Sequence, residues 1–129
     1  MTKDKTEYIK NWLFRANEDI AVITSLVNAG VEDYTSSICF HAQQASEKFL
    51  KAYLAYHDVD FPRTHDLDFL LLECQKINKK VFEIDFKSLT DFGVSIRYPD
   101  DFYIPDRIEA LEYRDIAISV KEIVEKLIK

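Results

Sequence analysis

Phe40-His-Ala-Gln-Gln-Ala-Ser-Glu-Lys-Phe-Leu-Lys-Ala-Tyr-Leu54 is the stretch that decides the fold. It holds no glycine or proline, and its apolar residues run around much of a helical circumference. A helix with a single apolar stripe lies on a surface, whereas one that is apolar on most sides is surrounded by other elements. The pattern predicts a long helix over residues 33–57 at the centre of a helical bundle. One sector of it is polar: Gln43, Gln44, Glu47, Lys48 and Lys51 span an arc of about 140°. Phe40 and Leu54 lie in the same arc, above and below the polar cluster. The sector is either a wet face laced by pairs such as Glu47 with Lys51 four residues on, or a partly covered cleft.

Working outward, residues 5–29 predict a preceding helix, with Tyr8, Ile9, Trp12, Ala16, Ile20, Ile23 and Val27 at spacings of three and four and Gly30 as its stop. Residues 58–64 form a loop held by Pro62. Thr64 or Asp66 can cap a third helix over 66–78, which carries Leu67, Leu70, Leu71, Cys74 and Ile77. A shorter helix is predicted over 86–96 from Phe86, Leu89, Phe92 and Ile96, with Val81–Phe86 left as loop. Pro99 and Pro105 stiffen the loop that starts at Arg97. The last helix starts near Asp106, which has capping-box spacing to Glu109, and repeats through Tyr113, Ile116, Val120, Ile123 and Leu127. The fold class is therefore all-α: an up-and-down antiparallel bundle of four main helices and one short helix, as a single domain over residues 1–129.

Composition narrows the function. The chain has 129 residues, 47% hydrophobic and 31% charged, which is ordinary for one domain with a sizeable core. Two glycines and three prolines are too few for an all-β fold with its frequent turns. With 17 Lys and Arg against 23 Asp and Glu, the net charge of −6 disfavours a general grip on phosphate backbones, though a local basic patch can still bind. Cys39 and Cys74 lie in periodic apolar contexts and are expected as reduced core thiols. The N-terminus lacks the apolar core of a signal peptide, and no apolar run approaches a membrane span, so a cytoplasmic protein is expected. No Glu is followed by His three residues on, which removes the di-iron bundle motif. HExxH, EF-hand and paired zinc-ligand spacings are missing too, and no metal or cofactor is expected. Gly30 and Gly93, standing alone, cannot build a P-loop, a dinucleotide turn or a nucleophile elbow.

Some polar residues fall where apolar ones belong. Asp19 lies about 20° from Trp12 and about 40° from Ile23 on the first helix, inside its stripe. A carboxylate there needs a cation or several donors. Glu18 projects elsewhere and is solvated. Lys48 and Lys51 are candidate partners, and Arg97 is long enough to pair with a carboxylate, Asp19 being one option, or to bind a phosphate. His65 precedes a helix start and reads as a loop or cap contact. His41 and His57 have no activating carboxylate in the nearby sequence and read as non-catalytic.

The Phe40–Leu54 helix resembles the signature helix of the HEPN domain (higher eukaryotes and prokaryotes nucleotide-binding). Trp12 with Ala16-x-x-Asp19, Pro62-Arg-Thr-His-Asp-Leu67 and Arg97-Tyr-Pro-Asp100 follow the same order. The resemblance implies a five-helix, up-and-down bundle that commonly dimerises. Stand-alone prokaryotic members are often encoded beside a minimal nucleotidyltransferase, as toxin–antitoxin pairs in which the HEPN protein is an RNase. The chain departs from the catalytic members, which carry an Arg followed, after four to six intervening residues, by a His. After Arg97 those positions hold Phe102, Tyr103 and Ile104. Without that imidazole, attack by the RNA 2′-hydroxyl lacks its usual proton-transfer group.

The leading expectation is thus a non-catalytic nucleotide- or partner-binding module. It would form a homodimer, with Tyr103 and Phe102 as candidate seam residues, and dock a nucleotidyltransferase. In its ligand site Lys48, Lys51 and Arg97 would supply phosphate charge, Gln44 and Tyr98 hydrogen bonds or stacking, and Asp19 would orient the cations. The alternatives are a metal-independent RNase toxin with a degenerate site, in which Arg97 stabilises the scissile phosphate, and a purely structural assembly partner.

Overall fold

Thr2 starts the first helix: its side chain accepts from the Lys5 N–H and satisfies one of the amides that a helix start leaves open. The structure, a computed structural model, describes residues 1–93 and 103–128. Among the described residues it consists of α1 (Lys3–Gly30), α2 (Thr35–Tyr56), α3 (Leu67–Ile77) and α4 (Arg107–Leu127), with 3₁₀ turns at Val31–Asp33 and Leu89–Gly93 and no strand. This is the all-α bundle expected from the sequence. Gly30, at φ +137°, takes a conformation that side chains rarely tolerate, and the chain reverses there into α2. The Val31–Asp33 turn delays α2 by two residues from its predicted start.

α2 is the central stave and packs on α1, α3, α4 and the Leu89–Gly93 turn. Ile38, Cys39, Ala42, Ala45, Phe49, Leu50 and Leu54 are fully buried. Alanines at the crossings, Ala16 on α1, Ala42 and Ala45 on α2, and Ala110 and Ala117 on α4, are also fully buried and let the helix axes approach closely. On α4 the buried line is Ala110, Tyr113, Ala117, Val120 and Val124, while Ile116, Ile123 and Leu127 pack at its margin. The bulky residues in the sequence repeat thus mark the shoulder of the stripe and the small ones its centre. Arg107 pairs with Glu32 at 2.8 Å where α4 enters, and Asn17 donates to Glu125 at 3.1 Å near its end, so α4 runs antiparallel to α1.

Asp66 caps α3 by accepting from the Asp68 and Phe69 amides, whereas Thr64 accepts from the amide of Asp66 itself. Asp106 caps α4 through the Glu109 N–H at 2.8 Å. The capping box closes only halfway, because the Glu109 carboxylate accepts from the Tyr103 hydroxyl instead.

The predicted helix over 86–96 is corrected. Lys87 has φ 52°, and its amide donates to Asp85 Oδ1 at 2.8 Å in an Asx turn, which ends any helical register there. A 3₁₀ turn over Leu89–Gly93 follows, and 94–96 lie outside the described residues. Phe86, Leu89 and Phe92 are spaced by three, a period that a 3₁₀ turn satisfies as well as an α-helix does. Among the described residues no helix is long and apolar enough to cross a membrane.

Cys39 and Cys74 are free, fully buried thiols, and burial pushes each of them up to about 12. A thiol whose folded value is raised supports the fold below its ordinary range near 9, and that support is lost as pH rises through about 12. Alkylation of both cysteines at pH 8 is therefore expected only after denaturant unfolds the chain, and labelling of either thiol in the native protein would contradict this packing.

Candidate functional site

Two carboxylates inside the bundle organise the polar face of α2. Asp19 projects from α1 into the α1–α2 interface and is 7% exposed. Its Oδ2 accepts from Lys48 Nζ at 2.7 Å and its Oδ1 lies 2.8 Å from His41 Nδ1. Glu47, one α2 face further round, is 3% exposed. Its Oε2 accepts from Lys51 Nζ at 2.9 Å, and its Oε1 lies 2.8 Å from His65 Nδ1. Each buried carboxylate therefore holds one lysine and one histidine. A carboxylate accepts only, so each imidazole donates through Nδ1 and leaves Nε2 for another partner.

Gln43, fully buried, ties the second group to its surroundings. Its amide nitrogen donates to Glu47 Oε1 at 3.2 Å and to the His65 carbonyl at 3.0 Å, and its oxygen accepts from Gln44 Nε2 at 2.7 Å. Gly93 covers it. A Cβ on Gly93 would stand 2.8 Å from the Gln43 Cδ, so any larger residue there would push the buried, hydrogen-bonded amide aside. Arg97 follows four residues later in the sequence.

The geometry sorts the sequence candidates. Asp19 and Lys48 meet in one network, and Gln44 and Lys51 belong to the other. Arg97 and Tyr98 lie outside the described residues. Both Asp19 oxygens are engaged by His41 and Lys48. Lys51 is enclosed: its ammonium contacts Glu47 and lies 5.4 Å from the Trp12 ring centroid and 5.8 Å from that of Phe61. It braces the site from beneath. Lys48, with its side chain 19% exposed, keeps access to the surface. The Glu47–Lys51 pair does form, but as a buried brace and not as a wet-face pair. Glu18 is exposed as expected.

The local sequence did not reveal the two imidazole–carboxylate pairs. His41 finds Asp19 across 22 residues, and His65 finds Glu47 across 18. Glu47 itself carried a signal, because it sits four residues from both Gln43 and Lys51 on a helix otherwise buried all round.

Taking a buried ion pair apart is costlier than never making it, because the surviving charge stays in a poor solvent. Lys48→Met is expected to lower the unfolding free energy by about 3 kcal/mol in urea titrations. Arg114→Ala, which removes a surface pair with Asp115, is expected to change it by less than about 0.5 kcal/mol. Equal effects would contradict a buried role for Lys48.

The comparisons with known proteins agree with this architecture. The family model for the HEPN domain matches residues 9–127. The crystal structure of ST0689, an archaeal HEPN homologue, superposes with a TM-score of 0.66 at 23% identity, covering 94% of this chain and 98% of that one. A search of curated proteins found no match. The structural likeness establishes a shared fold, and the family match runs from the first helix to the last: the chain belongs to the HEPN domain family.

Proposed function

We propose that the chain is a non-catalytic nucleotide-binding module of the HEPN type, working beside a separate minimal nucleotidyltransferase in a toxin–antitoxin-like pair. The carrying observation is the pair of buried carboxylates, Asp19 and Glu47, that hold Lys48, His41, Lys51 and His65 in fixed positions. Apolar residues of similar volume would fold the bundle as well or better. In this reading the charges preorganise a polar face. Lys48 and Gln44 reach a phosphorylated ligand from that face, and Arg97 and Tyr98 complete the contacts. Asp19 and Lys51 position the others.

The module is proposed to act as a homodimer. Tyr103, Ile104 and Ile108 are 58%, 61% and 76% exposed beside the start of α4, an apolar group that a second copy would cover. Phe102, the other seam candidate, lies outside the described residues.

One observation favours a second reading, a metal-independent RNase. The His65 imidazole is oriented by Glu47 while its side chain is 67% exposed, the arrangement of a base held by a carboxylate. It would compensate for the missing His after Arg97.

The test is capture of the tagged chain from its own cells, followed by binding of end-labelled single-stranded RNA and of ATP to the purified assembly. Expected are a co-purifying nucleotidyltransferase, about ten-fold weaker binding in Arg97→Ala with an unchanged melting temperature, and intact RNA after prolonged incubation with a chelator. RNA cleavage abolished by His65→Ala would establish the second reading. Neither binding nor cleavage, with the assembly intact, would leave a structural partner.

A further inference from the structure

Beside the polar face, and bordered by its Glu47, Lys51 and His65, lies a cleft. It has a volume of about 560 Å³, within the usual range for a small-molecule site, and opens between the first half of α1 and the loop before α3. Trp12 and Phe61 line one side of it, packed edge to face with ring centroids 6.2 Å apart at 63° and with the Lys51 ammonium against both rings. Tyr8, 49% exposed, continues the aromatic surface, its ring 6.1 Å from that of Trp12. The floor is the Lys51 ammonium, already neutralised by Glu47. Arg63 and His65 stand on the rim. An adjoining hollow of about 280 Å³ is lined by Tyr8, Trp12 and Arg15.

These aromatic residues lie at the edge of the core, where Phe61 packs against it, and not within it. Tyr8 is half exposed, and Trp12 and Phe61 are only partly buried. Arg15 and Arg63 are exposed and make no ion pair or hydrogen bond among the described residues. The His65 Nε2 is left free by the Nδ1 contact to Glu47. The cleft thus pairs apolar ring surface with one cation, Arg63, that has no ion pair among the described residues and a hydrogen-bonding imidazole at its mouth, although the chain as a whole is acidic. A planar heterocycle attached to a phosphate matches both halves: one face lies against the exposed aromatic surface, and its anionic end meets Arg63.

We infer that this cleft is a second binding site, one that takes an unpaired nucleobase with its phosphate on Arg63, supplied either by single-stranded RNA or by a free nucleotide. The inference rests on the reading of the chain as a nucleotide-binding module and shares Glu47, Lys51 and His65 with it, but its own contacts are Trp12, Phe61 and Arg63, whereas the ligand contacts of that reading are Lys48, Gln44 and Arg97. Arg15 lies where a neighbouring phosphate of a strand would follow.

Trp12 is the sole tryptophan in the chain, so its fluorescence reports on the cleft alone. The experiment titrates the purified chain with an oligoadenylate RNA hexamer and, separately, with adenosine monophosphate, and follows the indole emission. Anisotropy of the labelled hexamer is recorded in parallel. Saturable quenching is expected, with an apparent Kd raised about ten-fold in Arg63→Ala and in Phe61→Leu at an unchanged melting temperature. The quench amplitude is expected to survive in Arg97→Ala. Quenching by the hexamer alone identifies a strand as the occupant, and equal quenching by the monophosphate identifies a free nucleotide. RNA binding seen by anisotropy, without quenching and insensitive to Arg63→Ala, would overturn the cleft while leaving the module reading in place. Absence of binding by both signals would overturn both.

Discussion

The bundle is built around a helix that has to be buried and yet carries charge. α2 is enclosed by α1, α3, α4 and the turn ending at Gly93, and Glu47 and Lys51 lie within it at 3% and 5% exposure. Burial of this kind is tolerated only when every charge has a close partner. That requirement fixes much of what surrounds α2. It places Asp19 inside the α1 stripe, brings the His65 loop down onto Glu47, and is matched at position 93 by a glycine that leaves room for the Gln43 amide. The long apolar contacts of Phe49, Leu50 and Leu54 supply the driving force for folding, and the ion groups sit where α1 and the α2–α3 loop meet α2.

The same constraint explains what could be read from the sequence. The helices of the bundle follow from hydrophobic periodicity, which is a local property of each segment. Asp19 was legible because a carboxylate inside an apolar stripe is anomalous by itself. Its partners were not: a lysine 29 residues away and a histidine 22 residues away meet it only after α1 and α2 pack. Glu47–Lys51 was legible as a pair at helical spacing, but whether such a pair is wet or buried depends on the neighbouring helices. The segment at 86–93 misled because apolar residues spaced by three fit both an α-helix and a 3₁₀ turn, and Lys87 gives no sign in its side chain that its backbone will turn left-handed. The HEPN resemblance was carried by the α2 string, and the family match over residues 9–127 places the chain in that family.

The proposed function rests on a division of labour within the polar face. Asp19, Glu47, Lys51 and Gln43 are held from all sides and act as supports. Lys48, Gln44 and His65 are held on one side and open on the other. Rigid support beneath a small number of accessible polar groups is how a site keeps its geometry without a ligand present. The aromatic cleft beside it, with Arg63 on its rim, extends the surface that a nucleotide or strand could occupy.

The account stands or falls on whether the buried charges serve binding and not folding. The measurement that decides it replaces both members of one pair with apolar residues of similar volume, Asp19→Leu with Lys48→Met, and determines the unfolding free energy and the affinity for labelled single-stranded RNA on the same preparation. The account predicts a chain at least as stable as the parent that binds RNA about ten-fold more weakly or not at all. A doubly substituted chain that binds RNA as the parent does, or one whose stability collapses along with its binding, would contradict it.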